Sequence, residues 1–380
     1  MIVVEERERV PVFANRLEPS AAAARAAPAG RLSLHGCRTC GFVQNAAYDP
    51  ALVAFDPGYE NDQGGSPAFR AHVEAVAAIV AAAVAAGTGV VEIGCGQGGF
   101  LAALAARLGP EHGPLIGFDP SFRGEDGSGT AGAQIFRRHF DPAAMAALDP
   151  APATLVARHL IGYVPDPVGF FAAIGEALGT TPHRLFVETP DVGWIFRNGA
   201  FQDLFYETCS LHAPSSLARA FAAAGYHPES ARPMMHGQYV LAQATRGGAA
   251  AAETPLRAAP ALRDLRPERR DFVARWRSAL AERRAGGGIA IWGAGAKGLT
   301  FAQLCDPDAG LIDALIDVNP LKQGHFAPLT AHPVEALSMA AARGLGTVIV
   351  ANPAYRDEVA GALAAMDVAA DILAIEDPTP

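Results

Sequence analysis

Two glycine-rich turns, far apart in the chain, each follow a short apolar run. The first run is Val90-Val91-Glu92-Ile93, leading into Gly94-Cys95-Gly96-Gln97-Gly98-Gly99-Phe100. The second is Ile289-Ala290-Ile291-Trp292, leading into Gly293-Ala294-Gly295-Ala296-Lys297-Gly298. A buried strand that turns on glycines into a helix brings backbone N–H groups close to a ligand. The pattern predicts an α/β protein with two doubly wound units, and leaves open which cofactor each turn holds.

The chain has 380 residues, long for a single core, so two domains and an appendage are expected. A net charge of −9 with no basic block argues against a nucleic-acid surface. Five cysteines with one close pair do not suggest a disulfide framework and fit a reducing cytoplasm. Met1 to Val10 carries Glu5, Glu6, Arg7, Glu8 and Arg9, unlike a secretion signal. The stretch Ala75–Val91 contains no charge and approaches spanning length, but it is alanine-rich and runs through Gly87-Thr88-Gly89 into the first turn. A helix feeding a strand explains it better than a membrane span.

Residues 1–70 show no strong periodicity and read as a small irregular module. Residues 71–246 alternate strand and helix signals, the mark of a parallel sheet. Strands are predicted at Val90–Ile93, Leu115–Phe118, Gln134–Arg137, Thr154–Ala157 and Leu185–Glu188, with a late hairpin around Met234–Gln243. Helices are predicted at Phe100–Leu108, Val168–Leu178 and Ser215–Ala224. Gly247–Pro260 is low in complexity and reads as a linker. The C-terminal domain, residues 261–380, opens with a helix predicted at Arg269–Arg284, followed by the second α/β unit from Ile289 to about Ile375, with strands at Ile289–Trp292, Leu311–Ile316 and Thr347–Ala351.

The first turn satisfies two patterns. Gly94, Gly96 and Gly99 match a dinucleotide fingerprint, while Gly94, Gly96 and Gly98 match the looser spacing of S-adenosylmethionine sites. Glu92 tilts the choice toward the second, because a carboxylate there suits a cationic ammonium and sulfonium better than an anionic pyrophosphate. Asp119 closes the next strand, where its oxygens can accept hydrogen bonds from ribose hydroxyls. Glu92, Gly94, Cys95, Gly96, Gly98 and Asp119 are therefore the candidate cofactor residues.

Glu92 to Phe100 resembles the first motif of class I S-adenosylmethionine-dependent methyltransferases. The resemblance extends to Cys37-Arg38-Thr39-Cys40-Gly41-Phe42-Val43-Gln44-Asn45, Arg158-His159-Leu160-Ile161-Gly162-Tyr163-Val164-Pro165-Asp166-Pro167 and Tyr206-Glu207-Thr208-Cys209-Ser210. It continues in the second glycine turn and in Asp317-Val318-Asn319-Pro320-Leu321-Lys322-Gln323-Gly324. Together these segments resemble bacterial C-methyltransferases of nucleotide-linked keto-deoxysugars. That likeness implies a zinc-binding N-terminal module, a cofactor domain and a Rossmann-like C-terminal domain around a small-molecule substrate.

The chain departs from the family pattern in two places. The family's zinc module uses two CxxC pairs, whereas only Cys37 and Cys40 stand here, with His35 as a third candidate ligand. The family's Tyr-Glu-His is Tyr206-Glu207-Thr208, and its Glu-His is Gly162-Tyr163. The resemblance assigns proton handling to the tyrosine and histidine. Tyr206 can still join a relay, although a phenol of pKa ~10 is a weak base unless its neighbours depress it. His159 and His212, with an ordinary pKa of ~6.5, are the other candidates, and Glu207 can orient the Tyr206 phenol. Arg197 and Lys297 are candidate diphosphate contacts.

The missing histidine keeps O- or N-methylation of a small metabolite open. Gly293, Gly295 and Gly298 with Asp317 also match a nicotinamide site, which would make the chain an NAD-dependent oxidoreductase. A third reading is a protein that binds the methyl donor without catalysis.

Overall fold

The computed structural model describes residues 1–55, 59, 66–109, 112–142, 145, 148, 152–247 and 258–377. The N-terminal segment forms strands β1 (Ile2–Pro11), β2 (Ala29–Gly36) and β3 (Val43–Asn45). These pair antiparallel, and β3 also pairs with β9 (Ser210–Leu211) from the middle of the chain. The expectation of an irregular module is corrected here. Regular alternation is hidden because β1 buries charge: Glu5 is fully buried on Arg269, with Nε to Oε1 at 2.9 Å. Arg7 is buried on the carbonyls of Phe201 and Leu204. Two register shifts in β1 break its period as well.

The middle of the chain builds a seven-stranded sheet from β4 (Val90–Ile93), β5 (Leu115–Phe118), β6 (Gln134–Phe136), β7 (Thr154–Arg158), β8 (His183–Pro190), β10 (His227–Met234) and β11 (Tyr239–Arg246). Their spatial order is β10-β11-β8-β7-β4-β5-β6. Strands β4 to β8 run parallel, while β11 is antiparallel to β8 and to β10. All four β4 residues are buried, as expected for a strand covered on both faces. The chain order reverses at β4, between β5 and β7, which opens a crevice at their carboxyl ends. The hairpin begins earlier than its apolar pattern suggests, since β10 contains Pro228 and Pro233. An edge strand tolerates prolines that a central one does not.

The C-terminal part forms a five-stranded parallel sheet from β12 (Gly288–Trp292), β13 (Ala314–Ile316), β14 (Val334–Glu335), β15 (Leu345–Val350) and β16 (Asp371–Ala374). The order is β14-β13-β12-β15-β16, so β12 and its glycine turn lie at this sheet's own reversal point. Strand β13 is shorter than expected because Asp306 captures the N–H groups of Gly310, Leu311 and Ile312 at 2.9, 2.9 and 2.8 Å. Those amides are then lost to the ladder. Residues 248–257 of the expected linker lie outside the described residues. No helix among the described residues is long and apolar enough to cross a membrane, and Ala75–Val91 divides between a helix ending at Ala81 and β4.

One hydrophobic core joins the N-terminal sheet, the segment Val192–Leu211 and the C-terminal sheet. In it Trp276 meets Phe301 edge-on with centroids 4.9 Å apart. Ile291, in β12, has no exposed surface in this core. Ile291→Val is expected to cost about 0.5–1.5 kcal/mol in chemical denaturation, as for a single buried methylene.

Candidate functional site

The first turn takes the backbone path its glycines were expected to allow. Gly94, Gly96 and Gly98 have φ of +76°, +56° and +83°, values that disfavour side chains. Asp119 pins the turn, with Oδ2 accepting from the Gly96 N–H at 2.7 Å. Its Oδ1 accepts from the Ser121 N–H at 2.8 Å and the Ser121 hydroxyl at 2.6 Å. Gln97 bridges onward, donating to the Ser121 carbonyl at 3.1 Å and accepting from the Arg123 N–H at 3.1 Å.

Above the turn lies a cavity of ≈ 970 Å³ whose lining includes Glu92, Gly94, Cys95, Gly96 and Asp119. Gly98 stands behind the turn, where an added Cβ would meet Ile135 Cδ1 at 2.5 Å. Its part is helix–strand packing. Glu92 is 2% exposed, and burial pushes its carboxyl up to about 8 against the pull of Arg158. Its Oε2 is buried without a hydrogen-bond partner. A lone buried carboxyl oxygen facing such a cavity fits the ammonium end of an amino-acid cofactor.

A second cavity, of ≈ 400 Å³, opens between the middle and C-terminal sheets. Its wall includes Asn15, Phe205, Thr208, Tyr239, Lys297 and Lys322. His159 and Tyr163 line both cavities, so the two spaces meet across these side chains. His159 sits in a left-handed conformation, φ +53°, and burial pushes its imidazole down to about 4.

Behind Tyr163 lies a buried acid. Glu207 is fully buried and accepts from the Tyr59 hydroxyl at 2.9 Å and the Ala14 N–H at 2.8 Å. Asn15 Nδ2 adds a longer contact of 3.5 Å to Oε1. Burial pushes Glu207 up to about 7, with those donors restraining the rise. Tyr163 lies beside Tyr59 and Thr208, and burial together with the Glu207 charge pushes its phenol up.

Not every expected residue joins this centre. Tyr206 is 1% exposed and lines neither cavity. Its hydroxyl accepts from the Asp49 N–H at 2.8 Å, and its ring stacks on Tyr48 with centroids 5.6 Å apart. Phe205, the preceding residue, faces the smaller cavity. His212 is 1% exposed, 3.2 Å from the Ser210 hydroxyl, pushed down to about 3 by burial, and outside both linings. The Arg197 side chain points to solvent 3.8 Å from Asp191, while Lys322 takes a place in the wall that the sequence did not suggest. Tyr59 and Asn15 carried no signal, lying in a segment without periodicity.

Cys37 and Cys40 form a tight turn, with the Gly41 N–H donating to the Cys37 carbonyl at 2.8 Å. Neighbouring backbone N–H groups push the Cys37 thiol down, whereas burial pushes Cys40 up. His35 turns instead to the Ser33 hydroxyl at 3.3 Å. Among the described residues no third His, Cys, Asp or Glu joins the two thiols, so the donor set does not fit a closed zinc site.

The second glycine turn repeats the first in outline, since Asp317 Oδ2 accepts from the Ala294 N–H at 2.9 Å. Here, though, Lys322 Nζ also lies on the turn, 3.4 Å from Asp317 Oδ2 and 3.3 Å from the Ala294 carbonyl. Lys297 Nζ is 2.9 Å from Asp203 Oδ2. Two lysines, each paired with an aspartate, thus stand in the wall of the smaller cavity.

Residues 68–231 match the family model described as "Methyltransferase domain", and residues 257–371 match "C-methyltransferase C-terminal domain". Among solved structures, a SAM-dependent methyltransferase from Aquifex aeolicus is similar at 11% identity and a TM-score of 0.37, over 50% of this chain and 99% of that one. An O-methyltransferase family protein from Burkholderia thailandensis is similar at 15% identity and 0.37, over 47% of this chain and 56% of that one. Magnesium protoporphyrin IX methyltransferase from Synechocystis is similar at 17% identity and 0.33, over 47% of this chain and 84% of that one. No curated protein matches the chain.

Proposed function

We propose that this S-adenosylmethionine-dependent methyltransferase methylates carbon next to a carbonyl, and that its acceptor is a nucleotide-linked keto-deoxysugar held in the smaller cavity. The observation carrying this reading is that Tyr163 belongs to both cavities and lies beside Tyr59, whose hydroxyl donates to a buried carboxyl near neutrality. We take residues 71–246 as the cofactor domain and 261–380 as the substrate domain. The match of residues 257–371 to a C-methyltransferase C-terminal domain supports carbon as the methylated atom. Five free cysteines suit a cytoplasmic enzyme.

Glu92, the backbone of Gly94, Cys95 and Gly96, and Asp119 would hold the cofactor, with Asp119 accepting from ribose hydroxyls and Glu92 facing the ammonium. Bound there, S-adenosylmethionine supplies an electrophilic methyl group on a sulfonium. Glu92 is largely protonated at neutral pH, so taking up an ammonium beside it expels its proton. Calorimetry of S-adenosylhomocysteine binding at pH 7 in buffers of different ionisation enthalpy is expected to show release of close to one proton. That release should vanish in Glu92→Gln.

In the smaller cavity Lys297 and Lys322 are the cationic groups for a diphosphate, each held in place by an aspartate. Proton removal from the acceptor runs along the chain behind Tyr163. The α C–H bond breaks and its proton passes to the Tyr163 oxygen. The Tyr163 proton moves to Tyr59, and the Tyr59 proton to the Glu207 carboxylate. The electron pair stays on the acceptor as an enolate. This relay takes the place of the histidine that the resemblance expects where Thr208 stands. Incubation in D₂O with a nucleoside-diphosphate keto-deoxysugar and S-adenosylhomocysteine tests the reading. Enzyme-dependent exchange of the α-hydrogen is expected, and no exchange above the buffer rate would contradict it.

A further inference from the structure

We propose that His72, His159 and Glu188 form a binding site for one divalent transition-metal cation of the zinc, cobalt or iron(II) class, in the wall between the two cavities. One ligand atom from each of the three residues lies within 4.8 Å of the others, and among the described residues no other three His, Cys, Asp or Glu side chains converge in this way. His72 Nε2 is 2.7 Å from Glu188 Oε1, and His159 Nε2 is 3.5 Å from Glu188 Oε2. Neighbouring ligands on an octahedral cation with ~2.1 Å bonds stand ~3 Å apart, so these separations admit an ion with small side-chain shifts. Two imidazoles and one carboxylate are a donor set for borderline divalent cations, and leave coordination positions open.

The three donors arrive on rigid and separate elements. His72 projects from the helix Pro67–Ala81, Glu188 lies in β8, and His159 follows β7. The His159 N–H donates to the Glu188 carbonyl at 2.7 Å, which ties the left-handed residue to the strand beside it. Strain kept at a non-glycine position aims a side chain. The Tyr239 ring packs against both imidazoles, with centroids 5.4 Å from His72 and 4.7 Å from His159. His72 and Glu188 are buried, while a quarter of the His159 side chain is exposed and reaches both cavities.

Arg158 opposes the ion, its Nε lying 2.8 Å from Glu188 Oε2. Oε1 stays turned to His72, so affinity in the micromolar range is expected rather than the tighter binding of a closed thiolate site.

The full chain carrying Cys37→Ser and Cys40→Ser, which removes the competing thiol pair, is to be titrated with Co²⁺ alone. One equivalent is expected, with weak visible d–d bands and no thiolate charge-transfer band. His159→Ala, tolerable because the ring is partly exposed, should weaken uptake at least ~100-fold, and Glu188→Gln likewise. No uptake at millimolar Co²⁺, or uptake unchanged in both variants, would overturn the site. The readout needs neither methyl donor nor acceptor, so its failure leaves carbon methylation standing.

Discussion

Glu207→Gln is expected to lower kcat by about 10²–10⁴-fold while leaving S-adenosylhomocysteine affinity within about twofold of the parent. Glutamine keeps the shape, and its single carbonyl oxygen can accept from the Tyr59 hydroxyl or the Ala14 N–H, which bind different oxygens of Glu207, so one of the two bonds is kept. What it cannot do is take a proton. Because burial holds Glu207 near 7, the parent's rate should rise with pH through about 7 with a slope of one, as the carboxylate forms. Tyr163→Phe should cost a similar factor, since it cuts the relay where it meets the acceptor. Tyr206→Phe and His212→Ala should stay close to the parent, because neither side chain lines a cavity. Steady-state rates across pH 5–9 check all four. A Glu207→Gln enzyme at full rate would leave the relay without a terminus.

Asp119→Ala is expected to weaken S-adenosylhomocysteine binding by about 10²–10³-fold. Two hydrogen bonds from ribose to a charged acceptor are together worth about 3–6 kcal/mol, less what relaxation recovers. The same substitution frees the Gly96 N–H and the Ser121 hydroxyl, which loosens the turn. Asp317→Ala is the internal control. It removes the matching contact to the Ala294 N–H in the C-terminal turn and should leave the cofactor affinity unchanged. Its effect should fall on KM for the acceptor, because Lys322 loses its anchor. Isothermal calorimetry on both variants separates a cofactor turn from a substrate turn.

Both turns were legible in sequence because strand, glycines and closing acid sit close together along the chain, and such local geometry writes itself into spacing. The N-terminal sheet was not, because Glu5 and Arg7 are buried charges satisfied by Arg269 and by backbone carbonyls from elsewhere in the chain. Tyr206 and Phe205 show a finer limit. Neighbours in extended chain face opposite sides, and a motif alone does not say which faces the cavity. Here Phe205 does, while Tyr206 supports the Asp49 loop. The relay itself draws Asn15, Tyr59, Tyr163 and Glu207 from distant segments, a grouping that only tertiary packing creates. His159 was legible as a candidate, yet its partners His72 and Glu188 come from a helix and a strand that read as plain structure.

The most direct test is to follow a ¹³C-labelled methyl group from S-adenosylmethionine into a nucleoside-diphosphate keto-deoxysugar and locate it by NMR. The expected product shows the label bonded to the carbon beside the carbonyl, split by one-bond carbon–carbon coupling when the sugar is also ¹³C-enriched. A label found on oxygen or nitrogen, or retained entirely in the donor, would contradict carbon methylation.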